Sequence, residues 1–399
     1  MEYNTARIEI QVPLSDDGYV FDIGSLLALF YTLIDKRKAR GKRYELALVL
    51  VLAVLAKLAG EDTPTGIAEW ARHREGLLIP LLQVARAHLP SHNTYRRVLR
   101  DVVEVSELQA VISQFLTGLP EVGQSVLIAL DGKTLRGSIP TGQTRGVHLL
   151  AAYLPHEGLV LFQVAVGSKE NEISVAPQVL QALDLRGKMV RGDALLTQRS
   201  LSIQIVEAGG KYLWLVKDNQ PETLKAIETL FQPASPLPGT SLPANDFRTA
   251  ETTDKGHGRL EQRRLTASSL LKDYLAWPYV EQVFQLERRR IILATGEVEH
   301  EVVYGLTALT AQEAGPERLL ALTRDYWGIE NGLHYRRDVT LHEDATRLLA
   351  PRLAEVMALL NNLVIGLTMH QGWTNLAQAR RHFDGCLAGA LALVLRAPA

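Results

Sequence analysis

Cysteine is nearly missing from the sequence: Cys386 is the only one in 399 residues. That excludes an intrachain disulfide framework and a cysteine-rich zinc site, and it fits a reducing compartment. There is no His-Glu-x-x-His, no Gly-x-Ser-x-Gly elbow, no Gly-x-x-x-x-Gly-Lys-Ser/Thr phosphate loop and no dinucleotide fingerprint. Nothing in the chain therefore announces a covalent nucleophile or a nucleotide cradle. Long apolar runs are lacking too. The greasiest stretch, LALVLVLAVLA at 46–56, is closed by Lys57 and is too short to span a bilayer. It reads as a buried core helix, and no membrane partner is expected. The N-terminus, MEYNTARIEIQVPLSDD, has no basic segment followed by an apolar one, so it is not a secretory signal and the expected location is cytoplasmic. Charge of neither sign dominates. The formal net charge is -1, which neither announces nucleic acid nor excludes it, because binding faces are local.

The hydrophobic fraction is 47% and the charged fraction 22%, as in a globular protein of two or three domains. Residues 1–118 read as an all-helical N-terminal domain. Thr63-Pro64 marks a helix entry, and LPSHNTYRRVLRDVV carries Arg96, Arg97 and Arg100 on a candidate DNA-reading helix. The composition changes near residue 119. SVLIALD, GVHLLAAYLP and GLVLFQVAVGS are of strand length, followed by a helical NEISVAPQVLQALDL, a short strand at Met189–Val190, a second helix and the strand KYLWLVK. That order describes a mixed α/β sheet with helices on its faces over 119–217. Residues 218–310 break the alternation and read as a β-rich insertion of antiparallel strands with Gly turns. Helical patterning resumes over 311–399.

Three acids stand out. Asp131 closes the first strand of the α/β unit and Asp193 lies just past another. Strand ends of open α/β sheets are where ligands bind, and two carboxylates there suggest a hard-cation site such as Mg²⁺. The plainer reading of either residue is a solvated strand end or helix cap. In RDYWGIENGLHYRRDV, the residues Trp327, Glu330, His334, Arg337 and Leu341 recur at helical spacing and form one face. Apolar neighbours on that face imply that Glu330 points into a partly buried polar site. The alternative is a local Glu330–His334 or Glu330–Arg337 pair that only supports the helix. Three carboxylates from two strands and a later helix can hold two divalent ions for phosphodiester chemistry.

The blocks ALDGKTLRGS, GDALLTQ, KDNQP and RDYWGIENGLHYRRDVTLHED resemble the signature blocks of bacterial insertion-sequence transposases of the DDE type. The branch is the one that includes the H-repeat-associated proteins, and the helical region before ALDGKTLRGS is similar to the one that precedes the catalytic domain there. The resemblance runs over roughly residues 30–370. It implies an RNase H-like catalytic core interrupted by a β-rich insertion, preceded by the helical N-terminal domain and followed by C-terminal helices. It places the family triad on Asp131, Asp193 and Glu330, holding two Mg²⁺ ions with Mn²⁺ as a substitute. The related pattern puts a basic residue two helical turns after the glutamate, where Arg337 stands. It puts a tyrosine and an arginine before the glutamate, where this chain has Thr323 and Tyr326, with Arg324 adjacent to Thr323. Glu343 is a more distant alternative to Glu330.

The implied partner is double-stranded DNA, both the terminal inverted repeats and the target, bound by a homodimer or larger assembly. Lys133, Arg136, Lys217, His257, Arg259, His334 and Arg337 are then the candidate DNA contacts. Two other functions remain open on the sequence. One is a catalytically silent descendant that binds DNA; the other is an RNase H-like nuclease that cuts without joining.

Overall fold

A helix that is apolar all round must be surrounded by protein, and the 46–56 run is. The computed structural model describes residues 14–15, 18–19, 24–119, 127–232, 246–256, 258–325 and 328–396, with the side chains of Leu14, Ser15, Tyr19, Glu330 and Asn331 outside that description. A two-residue ribbon (β1, Leu14–Ser15; β2, Gly18–Tyr19) precedes six helices. These are α1 (Leu26–Tyr31), α2 (Leu46–Leu58), α3 (Pro64–His73), α4 (Glu75–Leu81), α5 (His92–Asp101) and α6 (Val105–Thr117). Three strands follow, β3 (Leu127–Thr134), β4 (His148–Leu154) and β5 (Leu159–Val166), and then α7 (Glu172–Gln181), β6 (Met189–Arg191), α8 (Arg199–Glu207), β7 (Lys211–Val216) and α9 (Pro221–Phe231). Four long strands come next, β8 (Arg248–Gly256), β9 (Arg259–Ser268), β10 (Gln282–Ile292) and β11 (Val298–Thr307). The chain ends in α10 (Pro316–Asp325), α11 (Pro351–His370), α12 (Leu376–Gly385) and α13 (Leu387–Leu395).

Local chemistry explains several of these boundaries. Thr63 caps α3 by accepting from the Gly66 amide at 3.0 Å, with Pro64 at the first helical position where no amide is needed. The α5 helix turns Tyr95, Val98 and Leu99 inward and leaves Arg96, Arg97 and Arg100 exposed. α11 is long and apolar enough to cross a membrane, yet it is buried against α2, α5, α6 and β5.

The strands form a mixed nine-stranded sheet in the order β5-β4-β3-β6-β7-β11-β10-β9-β8. β3, β6 and β7 are parallel neighbours, and the remaining pairings are antiparallel. Alternation along β3 divides its side chains between the two faces. Ala129 joins the large core shared by α2, α5, α6 and α11, while Ile128 and Leu130 pack with Val175, Val179 and Leu201 from α7 and α8. The helical N-terminal segment thus shares one core with the sheet.

Three features differ from the sequence expectation. First, β3 does not stop at Asp131 but runs on to Thr134. Its parallel pairing with β6 ends at Ala129↔Arg191, while its antiparallel pairing with β4 continues through Thr134↔His148. Asp131 is therefore at the end of the parallel part of the sheet, not of the strand. Second, the β-rich segment does not stand apart from the sheet. Tyr304–Thr307 pair with Leu213–Val216, so β8–β11 extend the same sheet. Gly305 permits this approach, because a Cβ there would collide with Phe284 and the Trp214 carbonyl. Third, the segment carrying Glu330 is not an ordinary α-helix. Glu330–His334 and Arg336–Thr340 are π-helical turns, a wider coil seen mostly as short pieces at functional sites.

Candidate active site

The site is built where β3 and β6 part. Asp131 pairs with Ala151 of β4, and its half-buried carboxylate faces the side on which the π-helical turns lie. His334 Nε2 sits 2.6 Å from Asp131 Oδ2. A carboxylate only accepts, so Nε2 carries the proton and donates. His334 is itself 8% exposed, and its Nδ1 has no partner among the described residues. It is turned inward onto Asp131, so the expected DNA contact at His334 is corrected by its burial.

The Glu330–His334 turn is seated on the sheet by packing. Ile329 and Leu333 are fully buried, and Gly332 brings the backbone against the Tyr153 hydroxyl, where a Cβ would clash. The turn that includes Glu330 is thus fastened to Asp131 through its last residue, although the two acids are far apart in sequence. The Glu330 side chain lies outside the described residues, as do Tyr326 and Trp327.

Asp193 follows β6 after Gly192, whose missing side chain lets Leu196 and Trp214 close in. It caps the short 3₁₀ turn Ala194–Leu196, accepting from the Leu196 amide at 3.2 Å. Partial burial, together with the nearby charges of Glu172 and Asp131, holds its carboxyl above the usual range, against the lowering effect of the Leu196 amide. The loop after β7 clasps this turn: Asn219 Nδ2 donates to the Ala194 carbonyl at 2.7 Å, and Gln220 Nε2 to the Thr197 carbonyl at 3.0 Å. Lys217 is exposed on the same loop.

Glu172 is the acid that sequence reasoning missed. It opens α7 behind an Asn171–Ser174 capping box, and its Oε1 lies 2.8 Å from His148 Nε2. His148 Nδ1 in turn lies 2.8 Å from Thr134 Oγ1. The signal was the capping box in NEIS, which fixes Glu172 at the first helical position.

The basic residues divide sharply. Arg337 is completely buried, its Nε 2.8 Å from Glu343 Oε2, and Asn361 Nδ2 donates to Glu343 Oε1 at 2.7 Å. A fully buried guanidinium cannot reach DNA, so the expectation for Arg337 is corrected; the same pair commits Glu343 to the interior. Lys133 is also turned inward, bound to both Asp338 oxygens at 2.7 and 2.8 Å and 3.6 Å from Asp344, with 9% of its side chain exposed. Its charge is neutralised within the protein, which removes it as a phosphate contact. Arg136, whose Nε lies 3.6 Å from Asp344 Oδ2 but whose side chain is 79% exposed, and Arg259, exposed at the start of β9, can still reach a ligand. His257 lies outside the described residues.

The donor chemistry fits hard divalent cations. Carboxylate oxygens are the ligands Mg²⁺ prefers, and the like charges around Asp193 are the kind that a cation relieves. Among the described residues, no three such groups already stand in ligand geometry.

Comparison with known proteins adds two family matches. Residues 123–367 match the family described as Transposase DDE domain, and residues 27–116 match the one described as DDE_Tnp_1-associated. An "Uncharacterized protein in dhlA 3'region" of Xanthobacter autotrophicus is 32% identical over 290 residues, which cover 71% of this chain and 94% of that protein. The "H repeat-associated putative transposase YhhI" of Escherichia coli strain K12 is 26% identical over 339 residues, covering 84% of this chain and 87% of that protein. Among solved structures, the piggyBac transposase synaptic complex with hairpin DNA matches with a TM-score of 0.45 at 10% identity, covering 92% of this chain and 77% of that one.

Proposed function

The chain belongs to the transposase DDE-domain family, and from that premise we propose that Asp131, Asp193 and Glu330 are its catalytic carboxylates. The observation that supports this most is the 2.6 Å contact between His334 and Asp131. It fastens the turn containing Glu330 to the sheet position beside Asp193, so two strands and a distant C-terminal segment meet at one place. We read β3–β7 as an RNase H-like core of 119–217, completed by 311–399, with 218–310 inserted and 1–118 as the helical N-terminal domain. The expected setting is the cytoplasm, where the DNA substrate is.

Asp131, Asp193 and Glu330 would hold two Mg²⁺ ions, or Mn²⁺ in their place, which when bound would supply activation of water or hydroxyl and charge stabilisation at the leaving oxygen. The chain's own contribution is placement. His334 fixes one oxygen of Asp131, the Leu196 amide orients Asp193, and the packed turn sets the Glu330 backbone. Water adds at an end phosphate as the P–O3′ bond breaks, leaving a 3′-hydroxyl and a 5′-phosphate. That hydroxyl then attacks a target phosphodiester and displaces its 3′ oxygen. Joining two element ends calls for a dimer or larger assembly on DNA, with Arg136, Lys217 and Arg259 as exposed phosphate contacts.

The test is a Mg²⁺-dependent assay on a duplex carrying the inverted repeats that flank the gene, scored for both nicking and joining. The parent protein is expected to do both, and Asp131→Ala neither, with an unchanged circular dichroism spectrum. Nicking without joining would mark a plain nuclease. Binding without either would mark a silent descendant, a reading against which the three acids weigh. Full activity of Asp131→Ala would overturn the assignment.

A further inference from the structure

The side chain missing at Gly132, next to Asp131, is replaced in space by another residue's carboxylate. A Cβ on Gly132 would fall inside the carboxylate of Glu172. An acid in the first turn of a helix has an ordinary explanation, since it suits the helix dipole and faces solvent. That explanation requires neither a gap in a neighbouring strand nor a second residue holding the carboxylate. Glu172 has both. The capping box made by Asn171 and Ser174 fixes where α7 begins. Glu172 then lies back over β3, where Oε1 accepts from His148 Nε2 at 2.8 Å. His148 is locked in turn, because the Thr134 hydroxyl donates to its Nδ1 at 2.8 Å. Thr134, His148 and Gly132 lie on one face of the β3–β4 pair by register. Oε2 of Glu172 makes no hydrogen bond among the described residues.

Alternation puts Gly132 and Asp131 on opposite faces of β3. Only at the end of the parallel pairing, beyond Ala129↔Arg191, is there no neighbouring β6 backbone to separate the two faces. Asp193 occupies that end, and α7, which begins at Glu172, packs against the Ala194–Leu196 turn that Asp193 caps. We propose that Glu172 is a fourth carboxylate of the divalent-cation site, entering through the gap at Gly132 with His148 holding one oxygen and the other free to face the cation. This inference rests on the cation site proposed above.

The test is calorimetric titration of the intact, DNA-free protein with MnCl₂, comparing parent, Asp193→Asn, Glu172→Gln and Gly132→Ala. Glu172→Gln keeps the shape and an acceptor for His148 while removing the charge. It is expected to bind Mn²⁺ at least about tenfold more weakly, the scale on which groups around a metal act. Gly132→Ala displaces the Glu172 carboxylate without altering it and is expected to give a similar loss, with no further loss when combined with Glu172→Gln. Should Glu172→Gln fail to fold, Gly132→Ala reads the same affinity. Parent-like Mn²⁺ affinity in Glu172→Gln or, failing that variant, in Gly132→Ala, alongside weakened binding in Asp193→Asn, would overturn the role of Glu172 and leave the triad standing. No Mn²⁺ binding by the parent would overturn both.

Discussion

Asp193 carries its charge beside two other carboxylates, at the cost of a carboxyl held above its ordinary range. A carboxyl raised in the folded state binds its proton more tightly there than in the unfolded chain. Folding is then unpenalised below the unfolded value of about 3.9, and loses stability as pH rises through the interval up to the folded value. Asp193→Asn removes that penalty while keeping an oxygen to cap the Ala194–Leu196 turn. In chelator and without divalent cation, the variant is expected to melt higher than the parent at pH 7, with the difference vanishing near pH 3. A parent that melts higher than Asp193→Asn at pH 7 would show that the charge is favourably paired. The sequence offered two readings of this residue, a cation ligand and a cap, and the cap is the one seen at the Ala194–Leu196 turn. Glu172 was not legible in the sequence, because its significance comes from Gly132, which is remote in the chain and meets it only when β3 packs against α7.

The segment after Glu330 teaches a different lesson at the level of elements. Reading 327–341 with a 3.6-residue period put Glu330, His334 and Arg337 on one face of a helix turned into a partly buried polar site, and the resemblance made His334 and Arg337 DNA contacts. The chain instead forms two π-helical turns, whose wider coil carries the residues to other directions. His334 lands on Asp131, and Arg337 goes into the interior to meet Glu343. Sequence period cannot disclose this, because the groups that meet the turns, Tyr153 at Gly332 and α12 at Arg336–Thr340, are remote in the chain. Removing one partner of a buried ion pair leaves the other charge uncompensated. Arg337→Ala is therefore expected to destabilise the fold by about 3–5 kcal/mol, with little change in the salt dependence of DNA binding. Arg136→Ala, at an exposed site, is expected to do the reverse: an unchanged melting temperature and a salt slope reduced by about 1. Chemical denaturation and binding titrations over a salt series separate the two. An Arg337→Ala protein of parental stability would contradict the buried-pair assignment.

Across the whole molecule, one sheet collects segments that the sequence presents as separate. The strand lengths and turn residues of β3–β7 were readable, as was the buried α2. The joining of β11 to β7 was not, because backbone pairing between distant strands leaves no mark on side-chain periodicity. Nor was the sharing of a core between the N-terminal helices and Ala129, Ala151 and Tyr153 of the sheet. The consequence for function is that Asp131, Asp193 and Glu330, drawn from two strands and from beyond the β-rich segment, are claimed to act as one unit. Residues that act as a unit lose their effect together, so single and combined substitutions cost the same. The most direct measurement is single-turnover cleavage of inverted-repeat DNA with Mg²⁺ by Asp131→Asn, Asp193→Asn, Glu330→Gln and the triple variant. Each single variant is predicted to lose on the order of 10³-fold or more, and the triple no more than any one of them. Cleavage at the parental rate by Glu330→Gln, with Asp131 and Asp193 intact, would contradict the account.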